Sequence, residues 1–174
     1  MMLNNFKVKY QLNNIELVIF IIFALLPVTY ILGNFFLNLA VSLAGLLFII
    51  NSKIKKEKII KKNLILVNFL FCFLLLMVLN ILFKNPTYLL DTISLARFIF
   101  FFLAFDLLMK KLGKKLNHLF LIWASTCFIV AIDIFYEVLI GSNLIGNVSA
   151  NSERIASFFG DELIAGSFIL GFAY

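Results

Sequence analysis

The sequence predicts an all-α, polytopic integral membrane helix bundle: five full transmembrane helices plus a truncated sixth, with a cytoplasmic N-terminus. Three observations predict it. First, the chain is 63% hydrophobic and 14% charged over 174 residues, against about 45–50% and about 25% in soluble domains, and its mean hydropathy is +1.07. A soluble fold of this size cannot hide 22 phenylalanines and their aliphatic neighbours, so lipid must solvate part of them. Second, the apolar residues come in runs as long as a bilayer requires. Third, the basic residues collect in the gaps between alternate runs.

A helical span needs roughly 20 mainly apolar residues at about 1.5 Å rise each. The first predicted span covers 15–32, with Pro27 placed to kink it. Gly33 and Asn34 form a minimal turn, giving either a tight hairpin or one long broken helix, and the hairpin is the expected form. The second span covers 35–50 and is short. The third covers 64–83 and ends at Asn85-Pro86. The fourth covers 89–109 and the fifth 119–140. A polar loop rich in Gly, Ser and Asn covers 141–160, and a sixth span covers 163–174. That last helix would be about 18 Å long against a hydrocarbon core of about 30 Å, so the expectation is one multi-span domain over 1–174 that forms the N-terminal part of a longer protein. The polar first 14 residues and the lack of a small-residue cleavage site read as a signal anchor rather than a cleaved leader.

Orientation follows from the lysines. With the N-terminus inside, the inner side holds Lys7, Lys9, Lys53, Lys55, Lys56, Lys58, Lys61, Lys62, Lys110, Lys111, Lys114 and Lys115, twelve of the fifteen basic residues. Lys84 and Arg154 fall outside, and Arg97 within a span. This positive-inside bias turns the 141–160 loop to the periplasm or exterior. The run 53–62 has the composition to bind anionic membrane lipids, but setting topology accounts for it as well. The formal charge of +6 does not indicate nucleic acid, because the lysines lie in short loops rather than on one basic face. Cys72 and Cys127 both fall in apolar runs and read as buried small hydrophobes. No metal-ligand spacing, disulfide framework, phosphate-binding glycine loop or cofactor fingerprint occurs in the sequence.

The polar residues that remain are few. Arg154 lies on the outer side, where cations are scarce, and its planar fork suits phosphate or carboxylate oxygens. Its plain alternative is an interfacial pair with Glu153, Asp161 or Glu162. Gly160, Asp161 and Glu162 precede an apolar run, as an ordinary helix start would. They also stand where they could orient Arg154. Ser157 and Ser167 have no recognisable base beside them in the sequence. Arg97 lies roughly 12 Å into its span, at a depth similar to Asp133, with Glu137 one turn further out. A buried Arg97–Asp133 pair explains two costly charges economically, and the alternative is that Arg97 lines a polar cavity for an anionic substrate. Asp106, near an inner end, is expected to face water or pair with lysine. His118, the single histidine, falls on the inner side as an interfacial structural residue.

The stretch 154–168, RIASFFGDELIAGSF, resembles the O-antigen ligase and Wzy-type O-antigen polymerase superfamily, in which an arginine precedes a small and aromatic segment, an FGDE-like turn and a span. The departure is Ala156-Ser157, where the pattern has a Ser-Gly pair. The resemblance implies a bacterial inner-membrane glycosyltransferase of lipopolysaccharide and cell-envelope biosynthesis. Its donor would be an undecaprenyl-diphosphate-linked glycan and its acceptor lipid A-core or another lipid-linked glycan, with no cofactor. Arg154 and Arg97 would bind the diphosphate or glycan, with Asp161, Glu162, Gly160, Asp133 and Glu137 in support. The family's catalytic histidine would lie outside this chain, so the chain alone should be inactive. Without the resemblance, Arg97, Asp133 and Glu137 also read as the mid-membrane path of a transporter or lipid-linked saccharide flippase.

Overall fold

The computed structural model describes residues 12–55, 64–84, 86–148, 155–159 and 165–173. These residues are helical, with no strand among them. The helices are α1 (Asn14–Ala24), α2 (Leu26–Ile31), α3 (Asn34–Lys55), α4 (Leu64–Lys84), α5 (Leu89–Ser94), α6 (Ala96–Leu112), α7 (Asn117–Ile140) and α8 (Ala165–Ala173). Short 3-10 turns lie at Pro86–Tyr88, Gly113–Leu116 and Ser157–Phe159. Four segments are long and apolar enough to cross a membrane: Asn34–Ile54, Val67–Lys84, Leu89–Leu112 and Asn117–Ile140. The chain thus has the make-up of a multi-pass membrane protein.

The first expected span is two helices. The break falls at Leu25 (φ −88°, ψ 0°), two residues before Pro27. Helical bonding continues past it, from Leu25 N–H to the Ile21 carbonyl at 3.0 Å and from Thr29 N–H to the Leu25 carbonyl at 2.9 Å. What Pro27 removes is the donor that would have served the carbonyl of Phe23. The indole Nε1–H of Trp123, the single tryptophan, donates to that carbonyl at 2.9 Å. This bond serves the carbonyl that Pro27 leaves without a helical donor, and so lets the bend persist.

The chain then reverses at Gly33 (φ +106°), a left-handed turn that glycine adopts without strain. Contacts at the far ends of the two legs show that they form the hairpin. Asn13 Nδ2 donates to Asn51 Oδ1 at 2.7 Å, and Asn51 Nδ2 donates to Glu16 Oε1 at 3.2 Å. α3 runs to Lys55 rather than ending at residue 50, because Asn51 is buried and bonded instead of marking a loop. The fourth span is interrupted at Leu95. There Leu95 N–H bonds the Thr92 carbonyl at 3.1 Å and Phe98 N–H bonds the Leu95 carbonyl at 3.0 Å, both of 3-10 type. Thr92 Oγ1 donates to the Tyr88 carbonyl at 3.0 Å and Ser94 Oγ to the Asp91 carbonyl at 2.6 Å, the back-bonding that bends helices.

The chain divides into two compact units, Met1–Phe20 with Val41–Gly113 and Ile21–Ala40 with Lys114–Tyr174. The first encloses a polar cluster within an apolar core that includes Ile19, Phe48, Leu103 and Leu108. Asn13 and Glu16 form a reciprocal capping box at the start of α1, Asn13 N–H to Glu16 Oε2 at 3.0 Å and Glu16 N–H to Asn13 Oδ1 at 2.7 Å. Lys111 Nζ donates to the fully buried Glu16. Asp106 pairs with Lys110 at 2.6 Å one turn along α6, as its position predicts. The second unit has an aromatic interior. Tyr30 of α2 meets Phe159, Phe168 and Phe172 with ring centroids 6.2, 5.7 and 6.1 Å apart, and Trp123 meets Phe172 at 5.4 Å. Edge-on and tilted contacts of this kind add stabilisation beyond the area they bury. They fix α8 and the Ser157–Phe159 turn against α7.

Candidate functional site

The site is built where α7 ends. Gly141 caps the helix in a left-handed conformation (φ +85°), its N–H bonding the Glu137 carbonyl at 2.8 Å. The chain then folds back beside the last turns of α7, and Leu144 N–H donates to Asp133 Oδ1 at 2.7 Å. Asn143, 2% exposed, organises the loop. Its Oδ1 accepts from Ile145 N–H at 3.1 Å and Asn147 N–H at 2.8 Å, an Asx-type turn. Its Nδ2 donates to the Ser157 carbonyl at 2.8 Å.

Ser157 is the centre of the arrangement. It has φ +53°, the single non-glycine residue with positive φ among those described. All of its polar groups are engaged: the hydroxyl donates to Asp133 Oδ2 at 2.6 Å, the amide to Glu137 Oε2 at 2.8 Å, and the carbonyl accepts from Asn143. Asp133 and Glu137 are spaced i, i+4, so one stripe of α7 faces the same residue. Asp133 is 0% and Glu137 6% exposed. Acids this deep need donors, and these include the loop backbone and a hydroxyl.

Asp133 and Glu137 are therefore brought together as the sequence predicts, but their shared target is Ser157. Arg97 belongs to the other unit. It follows the break at Leu95, with its guanidinium carbon 5.5 Å from the Phe98 ring centroid. With Ser42, Gly45, Leu46, Ile49 and Phe100 it lines a pocket of about 270 Å³. Gly45 permits the close approach there: a β-carbon added to it would lie 3.1 Å from Phe100 Cβ and 3.4 Å from the Arg97 carbonyl. Arg154, Gly160, Asp161 and Glu162 lie outside the described residues.

Ser157 does have a carboxylate beside it, Asp133, a base that lies 24 residues away in sequence. At 1% exposure the hydroxyl is closed to a substrate, so the pair holds the chain rather than attacking anything. Three residues escape apolar periodicity altogether: Asn143, Glu16 and Asn51. Asn143 was detectable in principle as an Asx residue between Gly141 and Gly146. Glu16 was detectable as the fourth residue of an Asn-x-x-Glu capping box. Nothing local announces Asn51, since its partners are 35 and 38 residues away. Among the described residues no group of His, Cys, Asp and Glu is arranged to hold a metal ion. No known protein family, no curated protein and no solved structure matches the chain.

Proposed function

We propose that this chain belongs to a membrane enzyme that transfers or polymerises undecaprenyl-diphosphate-linked glycan on the periplasmic face, with Arg154 contacting the diphosphate. The observation that carries this reading is the pinned end of the 154–168 stretch. Ser157, three residues after Arg154, is fixed through hydroxyl, amide and carbonyl to two buried acids and Asn143. It stands where the ligase and polymerase pattern has a glycine, and it adopts the backbone conformation that favours glycine. A diphosphate leaving group gains negative charge as the glycosidic bond breaks. A guanidinium helps most when its loop is already ordered, because the site then need not reorganise during the reaction. The lysine distribution supports an outward position for that loop.

The test is glycan transfer by the full-length protein carrying Arg154→Ala or Arg154→Lys. Alanine should reduce transfer by about 10²-fold or more, and lysine should restore only part of it, since a point charge replaces a fork. Transfer at the wild-type rate by the alanine variant would refute the assignment. A Ser149→Cys variant should react with an impermeant thiol reagent added from outside. Labelling only after access to the cytosolic side would reverse the orientation.

A flippase or transporter is the second reading, and the break between α5 and α6 beside Arg97 favours it, since interrupted spans flank many transport sites. Against it, Asp133 directs both oxygens to Leu144 and Ser157, which leaves it poorly placed as a step on a polar path.

A further inference from the structure

α4 turns its least expected residues outward. Its half-buried positions are Val67, Leu70, Leu74, Met77, Val78 and Ile81. At about 100° per residue they fall within one arc of roughly 100°, the face turned toward protein. The opposite arc carries the every-fourth-residue ladder Asn68, Cys72, Leu76 and Asn80 among the apolar Ile65, Phe69, Leu79 and Phe83, all exposed, so Cys72 is not the buried residue its apolar run suggests. A helix bathed in lipid places its most apolar side chains there. This one places two carboxamides, and among the described residues neither side chain makes a hydrogen bond. Each lies four residues inside an end of Leu64–Lys84, about 6 Å along the axis. Asparagine lacks the long stem with which lysine reaches the headgroups. A carboxamide left unserved in hydrocarbon is costly, so this face calls for a cover.

We propose that the ladder of Asn68, Cys72, Leu76 and Asn80 is a self-association surface, covered by the same face of a second copy of this chain. The carboxamide is self-complementary, since it carries both donor and acceptor. Two copies inserted with one topology cross the bilayer in the same direction. A two-fold axis along the membrane normal then sets each asparagine against its own counterpart at its own depth, and both amides are served at once. A helix of different sequence would need two polar groups about 18 Å apart at matching heights. An i, i+4 ladder also suits a right-handed crossing near about −40°, which keeps the ridge in contact along its length.

Cys72 sits within the ladder and is the native probe. The full-length protein in its membrane, with Cys127 and any thiol beyond residue 174 changed to alanine, is oxidised with copper phenanthroline. The expected product is a disulfide-linked homodimer through Cys72. Asn68→Leu with Asn80→Leu should lower the cross-linked fraction about tenfold. Moving the thiol to the flank, Cys72→Ala with Phe71→Cys, should abolish it. Because both asparagines are exposed, the leucine variants should insert normally, and co-isolation of two differently tagged copies reads association without any thiol. Monomer alone, equal cross-linking from positions 71 and 72, indifference to the leucine changes, or an adduct with a different protein would each overturn the proposal.

Discussion

Replacing Ser157 by alanine and by glycine separates two energies that the native residue combines. Alanine deletes the hydroxyl that donates to Asp133 at 2.6 Å. It leaves an acceptor on a fully buried carboxyl unserved, at a cost of about 1–3 kcal/mol. It also keeps a side chain at φ +53°. Glycine makes the same deletion but relieves the left-handed backbone, worth roughly 1–2 kcal/mol, against about 0.5–1 kcal/mol for the freer unfolded chain. The amide bond to Glu137 survives in both. Glycine should therefore be the milder change by about 0.5–1 kcal/mol. At about 2–4 °C per kcal/mol for a chain of this length, alanine should lower the unfolding temperature by roughly 2–12 °C, and glycine by about 1–4 °C less. The assay is thermal unfolding of the purified protein in lipid nanodiscs, followed by the emission of Trp123, the single tryptophan, which lies in the same unit. If alanine proves as stable as glycine, or both match the wild type, the strained and bonded serine is not what holds this loop.

Trp123→Phe should destabilise by about 1–3 kcal/mol by depriving the Phe23 carbonyl of its donor. In a Pro27→Ala background the restored N–H should make the same change nearly neutral, a coupling that a double-mutant cycle followed by circular dichroism reads directly. Gly45→Ala should be tolerated, because better helix propensity offsets the 3.1 Å approach to Phe100. Gly45→Val should cost about 1–3 kcal/mol in the same melt. Lys111→Met, which removes a cation bonded to the buried Glu16, should cost about 3 kcal/mol, and Glu16→Gln should recover part of that loss in the double variant.

Spans were legible because hydrocarbon imposes a length and a polarity on the sequence that few other environments do. α4 and α7 follow the runs at 64–83 and 119–140 closely, and α7 stays unbroken although Ser125 and Thr126 back-bond the Leu121 and Ile122 carbonyls. The reading failed where a polar side chain serves a distant partner. Asn51 looked like the start of a loop, yet α3 carries it inward to Glu16 and Asn13. The run at 89–109 read as one unbroken span, yet the bonds of Thr92 and Ser94 to the Tyr88 and Asp91 carbonyls accompany a break at Leu95. At the site, the i, i+4 spacing of Asp133 and Glu137 announced a shared face. It could not announce that the face looks at Ser157, because that contact spans 24 residues of sequence.

These details share one physical cause. Where a helix is interrupted or ends in a buried setting, backbone groups that water cannot reach need a side chain to serve them. Trp123 serves the carbonyl freed by Pro27, Asp133 and Glu137 serve the amides of Leu144 and Ser157, and Asn143 serves the amides of its own loop and the Ser157 carbonyl. Asp133 is thus consumed by architecture and Glu137 holds the Ser157 amide, and what they support is the end of the loop that bears Arg154. The proposed transfer from an anionic carrier lipid would call for that division of labour. The group that meets the phosphate must stay available, while the groups that hold its loop must be saturated and buried. Exchanging Asp133 for asparagine should then impair transfer through the loop, in parallel with the unfolding temperature. Loss of Arg154 should impair transfer and leave the melt unchanged.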